Sequence, residues 1–207
     1  MSIEPRAATT RSPRLPRDER RAQLLAAALE VFAAHGYHGA AMDEIAETAQ
    51  VSKPVLYQHF PSKRELYIAL LDSHLASLTD IMKSALGSTT DNRERVNAVI
   101  RAYFDFIAAD DQAHRIVFQS DLVNDPDVAS RLEKFNRGFS EAIAEVIASD
   151  TRLPLVEAQI LGRGLAGLAQ VSARYWLETS NSLDIGVAAD LVSRLAWKGI
   201  SRFPKEA

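Results

Sequence analysis

No cysteine occurs anywhere in the 207 residues. Disulfide frameworks and cysteine-ligated zinc or iron–sulfur sites are therefore excluded. Long apolar runs are missing as well. The richest segment, residues 22–34, is broken by Gln23 and Glu30, well short of the roughly 18 apolar residues that a membrane span needs. The opening stretch MSIEPRAATTRSPRLPR has no apolar h-region, so no secretory signal is read there. There is no glycine-rich phosphate loop. The five histidines, His35, His38, His59, His74 and His114, stand in no nucleophile or metal-ligand motif. Asp110, Asp111 and His114 lie close in sequence, but a solvated helix start accounts for them. No catalytic residue, metal ligand or cofactor is expected, and the chain reads as a soluble, cytoplasmic protein that is not an enzyme.

What remains is an ordinary core-forming composition, 47% hydrophobic and 25% charged. The charge is unevenly placed. Residues 1–64 carry nine Lys/Arg against seven Asp/Glu, whereas the whole chain has a net charge of −3. A mildly basic head on an acidic body suits a protein that presents one end to nucleic acid. Residues 1–16, with three prolines and three arginines, read as a disordered basic arm.

Beyond the arm every segment has helical periodicity, and none alternates as a strand does. Leu25, Ala28, Leu29 and Phe32 recur at i, i+3, i+4 and i+7, with Asp18 placed to cap the helix and Gly36 to stop it in a left-handed turn. Short helices follow over about 43–49 and 52–60. Pro61 ends the second, and Ser62 with Glu65 forms a capping box for a fourth helix that runs to about Leu86. Leu71, Leu75, Leu78 and Met82 share one of its faces. Further helices are predicted over about 92–109 (after a second capping box, Asp91 with Glu94), 113–120, 127–149, 155–177 and 184–202. The expectation is an all-α, nine-helix chain.

The segment Met42 to Tyr67, MDEIAETAQVSKPVLYQHFPSKRELY, carries the chemistry. Two short helices joined by a tight turn make a helix-turn-helix, whose second helix enters the major groove. Ile45, Ala46, Ala49, Val51, Leu56 and Phe60 are spaced to pack these helices together. Ser52 is placed to cap the second, and Pro54 sits in its first turn, where a missing amide proton costs little. Lys53, Pro54, Val55, Tyr57, Gln58 and His59 cannot all be core on so short a helix. Lys53 and Gln58 offer donors to base edges, and Pro54 or Val55 can pack on a thymine methyl. Tyr57, His59 and Lys63 suit phosphate oxygens.

The ordered string A-x-x-A-x-V-S-x-x-x-L-Y-x-H-F-x-S-K-x-x-L, preceded by F-A-A-H-G-Y, resembles the TetR family of bacterial regulators over about residues 20–70. The resemblance implies a three-helix DNA-binding domain over residues 17–61 and a ligand-binding and dimerisation domain over 62–207. It assigns residues 53–57 to reading double-stranded operator DNA, and Tyr57, His59 and Lys63 to the DNA backbone. Two positions depart from the family's pattern. Ala40 and Ala41 stand where hydroxyl residues often cap the second helix, and Gln50 stands where the turn usually has glycine.

In the body, Tyr103, Phe104, Phe106, Phe118, Phe135 and Phe139 are core residues in one reading and pocket walls in another. The family binds small hydrophobic effectors in a cavity between these helices. Leu78, Met82, Leu86, Tyr103, Phe106, Ile107, Phe118, Leu122, Phe139 and Leu165 are the residues it would take from this chain. The family resemblance also places the last two helices in a homodimer interface, with Leu168, Val171, Tyr175, Leu191, Leu195 and Trp197 contributing. Gly162, Gly164 and Gly167 would let a partner helix approach. Such a dimer sets two recognition helices about 34–36 Å apart and calls for a palindromic operator. The segments LPRDERR, MDEIA, VSKPVLYQHF, TTDNR and ARYWL resemble one branch of the family, the actinobacterial regulators of fatty-acid synthesis. That implies a long-chain acyl-CoA effector, with Arg101, Arg115 and Arg163 as candidates for its phosphates and the fourth helix as the link from pocket to DNA. The alternative is a repressor of an efflux or catabolic gene sensing a drug-like ligand.

Overall fold

A computed structural model describes residues 15–109, 122, 124–179 and 183–200. They form eight helices: α1 (Arg17–Gly39), α2 (Met42–Thr48), α3 (Lys53–His59), α4 (Lys63–Gly87), α5 (Asn92–Ala109), α6 (Pro126–Asp150), α7 (Leu155–Glu178) and α8 (Ile185–Ile200). The fold is all-α, with no strand among the described residues. Eight helices stand where nine were expected because the predicted helix over 113–120 lies outside the described residues.

Of the four side-chain N-caps predicted, two formed, and a third is present where none was predicted. Ser62 Oγ accepts the Glu65 amide at 3.1 Å, Asp91 Oδ1 accepts that of Glu94 at 2.9 Å, and Asp125 accepts those of Asp127 and Val128 at the start of α6. Three details differ. Helix α1 starts after Pro16, so Asp18 falls inside its first turn, where it favours the helix dipole rather than capping it. Gly36 breaks α1 at φ 68° and ψ 174°, an extended mirror conformation rather than a left-handed helical one. Ser52 occupies the N-cap position of α3 without a side-chain cap bond.

The turn between α2 and α3 is a Schellman motif. The Val51 amide reaches Ala46 O and the Gln50 amide reaches Glu47 O, both at 2.9 Å. Its left-handed residue is Gln50, at φ 53°, a conformation that burdens any side chain with a Cβ. Gln50→Gly is therefore expected to raise stability by about 0.5–1 kcal/mol, net of the extra freedom glycine has in the unfolded chain. Chemical denaturation checks this, and an unchanged or lower midpoint contradicts it.

Helix α4 is the spine. Leu66, Leu71 and Leu78 along it are fully buried. At its start, Tyr67 packs edge-on against Phe32 and Tyr37 of α1, with ring centroids 5.2 and 5.3 Å away. Farther along it lies between α5 and α6. The head and the body therefore share one continuous core through α4. Behind α6 runs α7, brought close at Gly162. A Cβ there would overlap the Ser140 carbonyl oxygen and come within 3.0 Å of the Ala144 amide nitrogen.

Candidate nucleic-acid interface and ligand cavities

In the head, Leu56 and Phe60 are buried and turn α3 so that Lys53, Pro54, Tyr57 and Gln58 face solvent. Val55 and His59 are half-buried at the edge of that face. Lys53 Nζ lies 2.6 Å from Asp43 of α2, and this hydrogen bond raises its pKa further. The pair is fully exposed, so Asp43 is readily exchanged for a nucleic-acid acceptor. Lys63 is engaged differently. Its ammonium donates to Ala40 O at 2.8 Å and His38 O at 3.3 Å, and sits 4.8 Å from the centre of the Tyr37 ring. It closes the carbonyl end of α1 while fixing the first turn of α4.

The start of α1 adds charge to this face. Leu15, Arg17 and Arg20 join Val55, Gln58 and His59 around a hollow of about 520 Å³, and Arg21 lies over the Phe60 ring at 4.5 Å. Burial, and then the nearby Arg17, Arg21 and Arg20, depress the pKa of His59 below its ordinary 6.5. His59 is thus neutral near pH 7 in the free protein. A phosphate placed beside it reverses the local field and draws a proton on binding. DNA affinity is expected to rise several-fold from pH 8 to pH 6, and His59→Gln to flatten that slope. A slope unchanged in the variant places His59 away from phosphate.

Two of the cavities in the body share part of their lining. The inner one, about 90 Å³, is walled by α4 to α8. Val99, Ile100, Ile143 and Leu165 are among its apolar lining, and Arg95 and Asp150 stand at one end. Arg95 is held by Asn92, by Leu86 O at 3.0 Å and by Asp150 at 3.1 Å. Burial works against the Asp150 carboxylate. Hydrogen bonds from Asn92, Arg95 and Ser149 outweigh it and hold its pKa below the usual range. The outer cavity is a cleft of about 740 Å³ between α4 and α6. Leu86 and Phe139 line both and form the septum. Along the rest of the α4–α6 contact, Arg64 bonds Asp125 and Asp127 at 3.0 and 2.7 Å, and Arg131 bonds Asp72 at 2.8 Å.

Comparison with known proteins places this geometry. Residues 24–70 match the profile of the bacterial regulatory proteins of the tetR family. The HTH-type transcriptional activator FasR of Mycolicibacterium smegmatis is 45% identical over 200 residues, which is 97% of this chain and 91% of the relative. The chain belongs to the TetR family. It is also similar to a TetR-like regulator from Rhodococcus sp. RHA1, with a TM-score of 0.74 at 26% identity, covering 91% of this chain and all of that one. FadR of Bacillus subtilis, solved in complex with stearoyl-CoA, shares the fold at a TM-score of 0.71 and 19% identity, covering 86% of this chain and 98% of that one. The full-length relatives are transcriptional regulators rather than enzymes, and no described helix is long and apolar enough to cross a membrane.

As a TetR regulator the chain keeps a helix-turn-helix whose α2 starts at Met42, with Ala41 at the N-cap position and no side-chain cap. Of the residues the sequence suggested for a ligand, Leu86, Phe139 and Leu165 line the inner cavity, and Met82, Leu86 and Phe139 line the cleft. Leu78, Tyr103 and Ile107 are core residues that border neither cavity, and burial pushes the Tyr103 phenol well above its ordinary pKa. Phe106 and Leu122 are half-buried and also border neither. Phe118 and Arg115 lie outside the described residues. Arg163 is tied to Glu133 at 2.9 Å, and Arg101 stands beside Gly186 at the start of α8, so neither is at the mouth of these cavities. The basic residues Arg17, Arg20 and Arg21 were missed as part of the head's charged face. Their signal was the RDERR run at the start of α1, where i, i+3 and i+4 spacing puts them on one side.

Proposed function

We propose that this TetR regulator controls fatty-acid biosynthesis genes, binding a palindromic operator as a homodimer and responding to a long-chain acyl-CoA held in its body. The observation that carries the reading is the reach of the similarity to FasR. It spans 97% of the chain, body as well as head, so the effector domain is shared along with the DNA-binding module. The stearoyl-CoA complex of FadR supports the ligand class, as do cavities whose walls are mainly apolar.

Dimerisation is supported by a surface without cover in the monomer. Val156, Ile160, Val171 and Tyr175 are 57–71% exposed in one line along α7. Gly164 and Gly167 fall in the same line with open space above them. Val187, Leu191 and Leu195 form a matching exposed line on α8. Apolar stripes on adjacent helices with glycines between them suit a second copy of the chain, paired as a four-helix interface. Trp197, expected to contribute, is half-buried and lines the inner cavity.

The test is a DNA-binding titration on the chain's own upstream region and on a fatty-acid synthase promoter, with and without palmitoyl- or stearoyl-CoA. A shift with acyl-CoA, and none with free CoA, is the expected result. Tight palindrome binding that ignores every acyl-CoA overturns the lipid reading and points to a drug-like effector.

A further inference from the structure

We infer that Asp43 and Lys53 act as one unit that reads a single G·C base pair in each half-site, Lys53 donating to the guanine and Asp43 accepting from the cytosine. This rests on the operator-binding reading above and goes beyond it. It gives an acidic residue of α2 a role in base selection and commits the operator to one base pair.

A carboxylate on the face that meets DNA works against binding. Phosphates repel it, and it cancels a cation that would otherwise hold them. Yet Asp43 stands in the first turn of α2 with its side chain 58% exposed, and its carboxylate holds Lys53 Nζ at 2.6 Å. Lys53 is the first residue of α3 and is equally exposed. The charge of Glu47, also exposed on α2, acts on the same ammonium. A lysine facing two carboxylates is a poor phosphate ligand. In a helix-turn-helix the N-terminal residues of the second helix meet base edges, so Lys53 brings its carboxylate partner to the bases with it.

The pair matches one edge in the major groove. A G·C pair presents, in order, the guanine N7 and O6 acceptors and then the cytosine N4 amino donor. O6 and N4 are hydrogen-bonded to each other, about 2.9 Å apart, close to the 2.6 Å between Lys53 Nζ and Asp43 Oδ2. An ammonium has three donors and a carboxylate two acceptor oxygens, so each keeps capacity after bonding the other. Lys53 then spans N7 and O6 while Asp43 takes the free N4 hydrogen, and the ion pair stays closed. At T·A the thymine methyl replaces N7 beside Lys53, and the adenine N7 acceptor falls beside Asp43. At C·G the amino group meets the ammonium and the acceptors meet the carboxylate. In both cases Lys53 must exchange Asp43 for another acceptor, which leaves a bare carboxylate against DNA. Rejection of the wrong pair therefore adds to recognition of the right one.

The test uses the full chain. Its site is selected from random duplexes, and single-base-pair variants of that site are then titrated by fluorescence anisotropy, with thermal melts to verify folding. Wild type is expected to prefer G·C at one position of each half-site by about tenfold or more over T·A and C·G. Asp43→Ala should reduce that preference to about twofold or less while its affinity for unrelated duplex rises several-fold. Lys53→Ala should lose the same preference while its affinity for unrelated duplex falls. The exchange Asp43→Lys/Lys53→Asp reverses the order of donor and acceptor, and is expected to favour C·G there. An Asp43→Ala variant with every base preference of wild type, or a folded exchange variant that still favours G·C, overturns the paired reading and leaves the DNA-binding head standing. A wild-type chain that selects no sequence overturns the two together.

Discussion

Gly162→Ala is expected to lower stability by about 2–3 kcal/mol, seen as a fall in melting temperature of about 5–10 °C. The added methyl group has nowhere to go. Its nearest neighbours are the Ser140 carbonyl oxygen and the Ala144 amide nitrogen of α6, main-chain atoms of a well-formed helix that cannot rotate aside as a side chain would. Relief requires α7 to withdraw from α6, loosening Ala144, Ala158 and Ala166, all at 3% exposure or less. The better helix propensity of alanine, worth about 1 kcal/mol, offsets only part of this. Gly138→Ala is the control, because its Cβ enters open space. It should gain up to about 1 kcal/mol from propensity alone. If Gly162→Ala melts within a degree of wild type, the close approach of α6 and α7 is wrong.

Placing charge in the α7–α8 stripe should have the other large effect. In the pair Val171→Glu/Tyr175→Glu, two carboxylates replace side chains that are 57% and 67% exposed in the monomer. The isolated chain should fold as before. In the proposed dimer the same groups would be buried opposite their own symmetry copies, where unpaired like charges are strongly unfavourable. Sedimentation should then report a monomer with wild-type helicity. Affinity for a full palindrome should fall by 100-fold or more, because each half-site is bound without help from the other. A variant that sediments as a dimer removes this surface from the interface.

The sequence showed local features well and distant ones poorly. The caps at Ser62 and Asp91 were legible because donor and acceptor lie within three residues on the chain. The helix-turn-helix was legible for the same reason, including the departure at Gln50, which takes the left-handed position that glycine usually fills. The buried stripe of α1 was read about one residue off. Leu24, Ala27, Val31 and Phe32 are buried with Ala28, while Leu25 and Leu29 are half-buried. Such a rotation depends on what lies opposite, and periodicity does not report that.

The glycines of α7 illustrate the same limit. Spacing showed that close approach was needed but not by which helix. Gly162 faces α6 of the same chain, whereas Gly164 and Gly167 face outward. Lys63 read as a phosphate ligand from its place in the motif, and its bonds to Ala40 and His38, 23 and 25 residues earlier, were not legible there. Lys83 and Lys134 carry no motif at all. Only the packing of α4 on α6 brings them to one cleft.

Because Lys63 and Tyr67 bind the first turns of α4 to the end of α1, the head has no joint of its own on that side. Were it turned at its far end, helix α4 would act as a lever of 25 residues, about 37 Å long at 1.5 Å per residue. Turned by about 5° at the Leu86 end, it carries the head through about 3 Å, close to the 3.4 Å rise of one base pair. The operator is in effect a ruler graduated in base pairs, and the lever arm is long enough to move the recognition helix by one division.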